Sequence, residues 1–311
     1  VTANLTVSVV VPSYRRTADL KRCLCALSQQ ALPPDEVLVV VRDTDDETRE
    51  FLKEPKRLTS LRVVVVDQPG QIAALNAGIN ATTTDIVALT DDDAEPSRDW
   101  VERIVATFLT DSKVGGVGGR DWVYHGEIVL DGSEPVVGKL QWFGRMIGNH
   151  HLGVGPIRDV DFLKGVNSAY RREALTGTLF DSRMRGDGAQ VHQEVSVGLS
   201  LKQRGWRLVY DPQIVVKHFP AARFDSDRRD GFNAAAVRNA VHNETIAVFP
   251  HLSALGQFVY PLWAILLGTG AAPGLLMTVR LVLKRDRYAL WRLIASLCGR
   301  HSGYWLLKSK S

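Results

Sequence analysis

The sequence predicts an α/β fold, a Rossmann-like and mostly parallel sheet with helices on both faces. Two observations predict it. Near-continuous apolar runs rich in valine recur through the first hundred residues, and segments of helical period separate them. Strands buried on both faces read as such runs, because neither side of the strand meets water. Strand and helix in alternation then give parallel neighbours joined by crossovers. A third observation bounds the size. The chain has 311 residues, 45% hydrophobic and 23% charged, enough to bury a core without staples.

The elements follow in order. Val7–Val11 is a buried strand that Pro12 should stop. Thr17 reads as the N-cap of a helix to about Gln30, with Leu20, Leu24 and Leu27 on one face, and Pro33-Pro34 ends it. Glu36–Val41 is the second strand, Asp46–Glu54 a short polar helix and Leu61–Val66 the third strand. Gln71–Asn80 is a helix and Ile86–Leu89 the fourth strand. From Pro96 to Leu109 a helix turns Val101, Ile104, Val105 and Phe108 inward. Beyond that the pattern loosens. Trp122–Tyr124 and Trp206–Tyr210 suit strands, Asn167–Leu175 and Val195–Gln203 suit helices, and residues 145–160 suit a loop. Gly115–Gly119 is no dinucleotide fingerprint, since no helix pattern follows it. Three regions are expected: 1–115, 116–225 and 226–311.

The last region has its own character. From Leu252 to Val279 the chain carries no charge, a length that could span a bilayer, but Pro261, Gly268, Gly270, Pro273 and Gly274 interrupt it. Leu281–Cys298 is amphipathic, with leucines on one side and Lys284, Arg285 and Arg292 on the other. From His251 onward eight Lys or Arg stand against one acid, Asp286. That tail carries +7, which leaves about −3 for residues 1–250 within a net charge of +4. A nucleic-acid binder would place its basic surface on the folded domain. This distribution instead predicts a tail that meets an anionic membrane surface, peripherally or monotopically, on the cytoplasmic face, with a span through 252–279 as the alternative. The cysteines Cys23, Cys25 and Cys298 form no disulfide framework and no zinc spacing, and no leader-like segment opens the sequence. A reducing compartment is expected.

The chemistry is concentrated in "DIVALTDDDAEPSRDW", residues 85–100. The fourth strand runs straight into Asp91, Asp92 and Asp93. Ligands of open α/β sheets lie at the carboxyl ends of strands. Two carboxylates at i and i+2 can hold a hard divalent cation, which would also relieve their repulsion. The triplet alone equally fits a solvated turn ahead of a helix.

Five stretches occur in order: "VSVVVPSYRR" (7–16), "EVLVVVRDTDDET" (36–48), "GQIAALNAGINATTTDIVALTDDDAEPSRDW" (70–100), "FLKGVNSAYRREAL" (162–175) and "FDSRMRGDGAQVHQEVSVGLSLKQRGWRLVYDPQIVVKH" (180–218). Together they resemble the family 2 glycosyltransferases of polysaccharide synthesis, inverting enzymes of GT-A fold, over roughly residues 7–220. The resemblance implies that Pro12, Ser13, Tyr14, Arg15 and Asp43 contact the base and ribose of a nucleotide-sugar, with Asn76 packed nearby. Arg42-Asp43 stands where the family usually has two acids. It further implies that Asp91 or Asp92 lies near the ribose and that Asp93 holds Mg2+ or Mn2+ on the diphosphate, with Asp91 and His218 as further metal ligands. Glu194 takes the place of the catalytic base, with Gln193 where the family has an acid. The implied reaction moves a sugar to a hydroxyl of a lipid-linked or oligosaccharide acceptor. Trp142, His150 and His151 fall in the acceptor region, although core packing is the plainer reading of Trp142. Arg171 and Arg172 suit phosphate or surface ion pairs. Two alternatives are a catalytically impaired nucleotide-sugar-binding scaffold at the membrane and a sugar-phosphate nucleotidyltransferase. The second would need a glycine-rich loop after the first strand, which "VPSYRRTADL" lacks.

Overall fold

The computed structural model describes residues 5–54, 60–225 and 231–309. The first part runs β1 (Val7–Ser13), α1 (Thr17–Ser28), β2 (Glu36–Arg42), α2 (Asp46–Lys53), β3 (Leu61–Val66), α3 (Gln71–Ala81), β4 (Ile86–Leu89), β5 (Ala94–Pro96) and α4 (Trp100–Thr110). The middle holds β6 (Val114–His125), β7 (Ile128–Val129), the pair β8 (Lys139–Leu140) and β9 (Met146–Ile147), β10 (Arg158–Val160), β11 (Ser168–Arg171), α5 (Arg172–Leu175), α6 (Gln193–Gln203) and β12 (Arg207–His218). Four helices follow: α7 (Ala234–Val248), α8 (Ala254–Leu266), α9 (Leu275–Leu283) and α10 (Ala289–Lys308).

The main sheet has the order β10-β12-β6-β11-β4-β1-β2-β3, with β5 paired to β12 and β7 to β6. The strands β4, β1, β2 and β3 are parallel, whereas β11 enters antiparallel to both β4 and β6. The sheet is continuous across residue 115, because β6 joins the two halves through β11. Alternation along β1 splits the core. Val9 and Val11 pack with Leu20 and Leu24 of α1 and Ile104 of α4, while Val10 packs with Ile72 and Leu75 of α3 on the opposite face.

Several local expectations are corrected. Pro12 does not stop β1, which continues to Ser13. Pairing with β4 ends at Val10, so Pro12 has a paired neighbour only in β2 and its missing N–H costs little there. Thr17 is the first helical residue of α1, and its hydroxyl donates to Glu47 at 2.8 Å instead of capping the helix. The helix expected from Pro96 starts at Trp100, since Ala94–Pro96 pairs with the end of β12. Asn167–Leu175 is a strand and one helical turn, because a slot between β4 and β6 overrides local propensity. The expected loop at 145–160 contains β9, a 3-10 turn (His150–Leu152) and β10.

The two short strands expected around Trp122 and Trp206 are ends of the long strands β6 and β12. Gly115–Gly119 lies inside β6 and serves close packing. A Cβ on Gly119 would sit 1.9 Å from the Ile214 carbonyl oxygen of β12. Gly119→Ala is therefore expected to cost about 1–3 kcal/mol of stability, read as a lowered denaturant midpoint. A midpoint equal to the parent's would mean that the two strands part freely.

The charge-free run 252–279 folds as α8, a turn and α9. The turn uses Gly268 at φ +65°, where a side chain would be strained, with a bridge from Gly268 to Pro273. Among the described residues no helix is long and apolar enough to cross a membrane. The amphipathic stretch from Leu281 is likewise two elements, broken at Lys284–Tyr288, where Arg285 has φ +60°. The buried side of α10 is not its leucine side. Ala295, Ser296, Gly299, Arg300 and Gly303 are buried, and Gly299 and Gly303 meet Arg238, Val241, His242 and Thr245 of α7. Leu290, Trp291, Ile294 and Trp305 stay exposed.

Candidate active site

The carboxyl ends of β1, β2 and β4 and the start of α6 enclose a cleft of about 250 Å3. Its walls include Pro12, Ser13, Tyr14, Asp91, Asp92, Asp93, Glu194 and His218. These eight come from four places in the sequence, 12–14, 91–93, 194 and 218, and the sheet order brings them together. β1 ends at Ser13, β4 runs into the acids, and β12 returns so that His218 pairs with Ala94, beside Asp93.

The three acids point to different partners. Asp92 is buried, accepts from the Ser13 hydroxyl at 2.8 Å and from Arg16 Nη1 at 2.8 Å. Asp91 accepts from Gln71 Nε2 at 2.9 Å. Asp93 accepts from the Ala221 N–H at 2.9 Å and has Oδ1 3.5 Å from His218 Nε2. The turn at Asp92–Asp93 leaves Asp91 and Asp93 beside His218, while Asp92 faces Ser13 and Arg16. Burial, with Asp93 as neighbour, raises the Asp91 carboxyl to about 6. Burial raises Asp92 to about 7, against the pull of Arg16. Burial also works to raise Asp93, but His218, the Ala221 N–H and Arg16 together hold it below the usual range. His218 is disfavoured as a cation by burial, yet Asp121 and Asp93 lift it to about 9.

Ligand atoms of Asp91, Asp93 and His218 lie within 4.8 Å of one another. Asp93 Oδ1 and His218 Nδ1 are buried and make no hydrogen bond. Two carboxylates and an imidazole with unsatisfied buried atoms suit a divalent cation such as Mg2+ or Mn2+. Asp121 stands behind, its Oδ2 3.7 Å from His218 Nδ1 and paired with Lys164.

Glu194 is the second residue of α6, half-buried and in the cleft wall. Gln193 before it is buried, with its Nε2 3.5 Å from the Ala189 carbonyl. Asp187 also lines the cleft, and its carbonyl accepts from Arg42 Nη2 at 3.3 Å.

Three expected donor contacts lie outside the cleft walls. Arg15 has φ +57° and its N–H donates to Asp45 at 2.6 Å. Asp43 follows β2, where its carbonyl accepts from Arg49. Asn76 bonds both the N–H and the carbonyl of Phe180, which ties α3 to the 180s segment. Arg42, the residue before Asp43, is in the wall instead, its guanidinium 4.4 Å from the Tyr14 ring centre.

The other candidates are displaced too. His150 is a core residue beneath Tyr210, and burial pushes it down to about 4, so it is neutral. His151 is half-buried outside the cleft walls. Trp142 is not core: it is 59% exposed at the tip of the β8–β9 hairpin, against Phe143, which meets Trp263 of α8. Arg171 and Arg172 bond carbonyls of Phe108, Val114 and Thr84 at the far end of the sheet. Arg16, Gln71 and Lys164 are among the wall residues that the sequence reading did not single out. Arg16 and Gln71 stand within or beside quoted motifs, but only the fold shows that each bonds an acid of the triplet.

A model of glycosyltransferase-like family 2 matches residues 3–238. The chain belongs to that family. It is by class a glycosyltransferase, and the nucleotidyltransferase alternative falls away. Among curated proteins it is similar to the glycosyltransferase AglE of Haloferax volcanii, 35% identical over 118 residues, which cover 37% of this chain and 38% of that protein. It is also similar to a glucosyl-dolichyl phosphate glucuronosyltransferase of the same organism, 26% identical over 226 residues and 68% of each chain. The match thus spans well under half of the first relative's length. Among solved structures, a mannosyltransferase of Pyrobaculum calidifontis in complex with GDP-Man and Mn2+ superposes with a TM-score of 0.57 at 19% identity, over 98% of this chain and 88% of that one. GalNAc-T7 with UDP, GalNAc and Mn2+ gives 0.58 at 16% identity, over 78% of this chain and 48% of that one. Both likenesses establish the GT-A fold.

Proposed function

We propose that the protein transfers a sugar, with inversion, from a nucleotide-diphosphate sugar to a hydroxyl of a glycan acceptor. The carrying observation is that one cleft holds both Glu194 and the cluster of Asp91, Asp93 and His218. A divalent cation there would neutralise the diphosphate and stabilise the leaving nucleoside diphosphate. Ser13 and Arg16 hold Asp92 aside from that cluster. Tyr14 and Arg42 offer a stacked face to the nucleotide. Glu194 accepts the proton of the acceptor hydroxyl as its oxygen attacks the anomeric carbon, and a single displacement inverts the configuration. The solved neighbours' complexes with GDP-Man, UDP and Mn2+ support this choice of donor class and metal. The test is a panel of UDP-, GDP- and dTDP-sugars with Mn2+, Mg2+ or chelator, reading nucleoside diphosphate release and the anomeric configuration of the product. Retention of configuration, or full activity in chelator, would overturn the mechanism. Metal-dependent binding without any turnover would leave the scaffold alternative.

The acceptor side points to a lipid-linked glycan of polysaccharide synthesis, met at the cytoplasmic surface of a membrane. The α8 face carries Leu255, Phe258, Leu262 and Leu266, all exposed, and the α9 face carries Leu276, Val279 and Leu283. Basic Arg280, Lys284, Arg285 and Arg287 flank the second face. Each basic residue near an anionic surface contributes about 1 kcal/mol, and apolar burial in the interface adds to it. Similarity to a protein named for a glucosyl-dolichyl phosphate agrees with such an acceptor. Truncation after Pro250 is a poor test, because α10 covers α7. Phe258→Glu with Leu283→Glu is cleaner, since these side chains are 67% and 79% exposed. We expect the parent to sediment with phosphatidylglycerol vesicles at low salt, and the double variant to stay in solution with its donor binding intact. A parent that ignores the vesicles would sink the membrane reading.

A further inference from the structure

The segment that delivers Glu194 to the cleft is strained. Gly186 has φ +117°, and the non-glycine residues Gln190 and His192 have φ +43° and +74°. Left-handed conformations of such residues persist only where their surroundings hold them. Here the hold is visible. The Gln190 side chain is buried, its Oε1 accepts from the Ile72 N–H at 3.0 Å, and its Nε2 donates to the Met184 carbonyl at 3.0 Å. The Gln71 N–H donates to the Gly188 carbonyl at 2.8 Å. The first N–H groups of a helix lack partners within it, and the N-cap of α3 is Gly70, which has no side chain to offer. The 186–192 segment therefore supplies the cap of α3 from a distance. Gly70 is fitted to this, since a Cβ there would lie 2.3 Å from Gln190 Oε1. The first residue of the capped helix, Gln71, in turn bonds Asp91. On the far side, Asn243 of α7 bonds both the N–H and the carbonyl of Arg185.

We propose that Gln190 is a positioning residue that fixes Glu194 relative to Asp91 by locking the 186–192 segment onto the N-terminus of α3. The proposal rests on the reading of Glu194 as the base. Misplacing a reacting group by about an ångström can cost on the order of 100-fold in rate, whereas Gln190 itself is not a wall residue and its side chain bonds Ile72 and Met184 rather than an acid of the cluster.

The variants are Gln190→Met, which fills the same space without either hydrogen bond, and Gln190→Glu, which keeps the acceptor for Ile72. The readouts are kcat for nucleoside diphosphate release from the UDP- and GDP-sugar panel, and the affinities for Mn2+ with UDP or GDP. Gln190→Met is expected to lose about 10–100-fold in kcat with affinities within about threefold, and Gln190→Glu to recover part of that loss. Should Gln190→Met fail to fold, Gln190→Glu carries the test with an expected several-fold loss in kcat alone. A kcat within threefold of the parent, or affinity that falls in step with kcat, overturns the proposal. Glu194→Gln separates the two levels. Full turnover there removes the base reading, while an inactive Glu194→Gln beside an unimpaired Gln190→Met removes this proposal alone.

Discussion

Asp93→Ala should abolish metal-dependent nucleotide binding while leaving the protein folded. Asp93 offers the cluster its one unsatisfied buried oxygen, Oδ1. Two ligands would remain, Asp91 and His218, and Asp91 is already shared with Gln71. Losing a primary ligand should cost at least the ~10–100-fold in metal affinity that follows loss of supporting partners. The fold has an independent tie at this point, because the Asp93 carbonyl accepts from the Phe219 N–H at 2.8 Å. The side chain's bond to the Ala221 N–H would be lost, so Asp93→Asn is the companion variant, keeping an oxygen acceptor and removing the charge. Calorimetry with UDP and GDP, with Mn2+ and with chelator, reads the result. Equal nucleotide affinity in both conditions for parent and variant would mean that the acids do not hold a metal. A lowered melting temperature in Asp93→Ala alone, with Asp93→Asn binding as the parent does, would assign Asp93 to the fold.

The parallel half of the sheet was legible because its information is local. Val7–Val11, Glu36–Val41 and Ile86–Leu89 are each self-sufficient as buried strands, Leu61–Val66 reads the same way although it forms the half-exposed edge of the sheet, and the Asp91–Asp93 run declares itself by following one of them. The middle was less legible because its structure comes from pairing at long range. Ser168–Arg171 has no strand pattern of its own and is a strand only because Leu89 and Gly118 flank Ser168. The glycines of β6 carry no strand pattern of their own, yet they are what allows β12 to approach. The site follows the same division. All of Ser13, Asp92, His218, Arg16, Gln71 and Lys164 stand in the quoted stretches, but the last three matter through partners 76, 20 and 43 residues away, which no local pattern names. Asn76 shows the converse, a motif residue whose side chain is fully used by the Phe180 backbone. On α10 close helix packing selects the small residues Ala295, Gly299 and Gly303 for the buried face, and it leaves Leu290 and Ile294 of the leucine side, the side expected to meet a membrane, exposed.

Glu194→Gln should stop transfer while preserving both donor and metal binding. The amide has the shape of the acid but cannot take a proton, and removal of a general base typically costs 10²–10⁴-fold. Glu194 accepts no ion pair among the described residues, and it lies in the first turn of α6, where its charge adds only about 0.3–1 kcal/mol to stability. The variant should therefore melt close to the parent, and its loss should appear in kcat, with nucleotide and Mn2+ affinities unchanged. Asp187→Asn is the necessary partner experiment, because Asp187 lines the same cleft from the segment that precedes α6. If Glu194→Gln turns over at near the parent rate while Asp187→Asn does not, the base is Asp187. The acceptor would then approach from the Gly186–Gly188 side of the cleft, and the family position of the acid would have moved seven residues upstream in this chain.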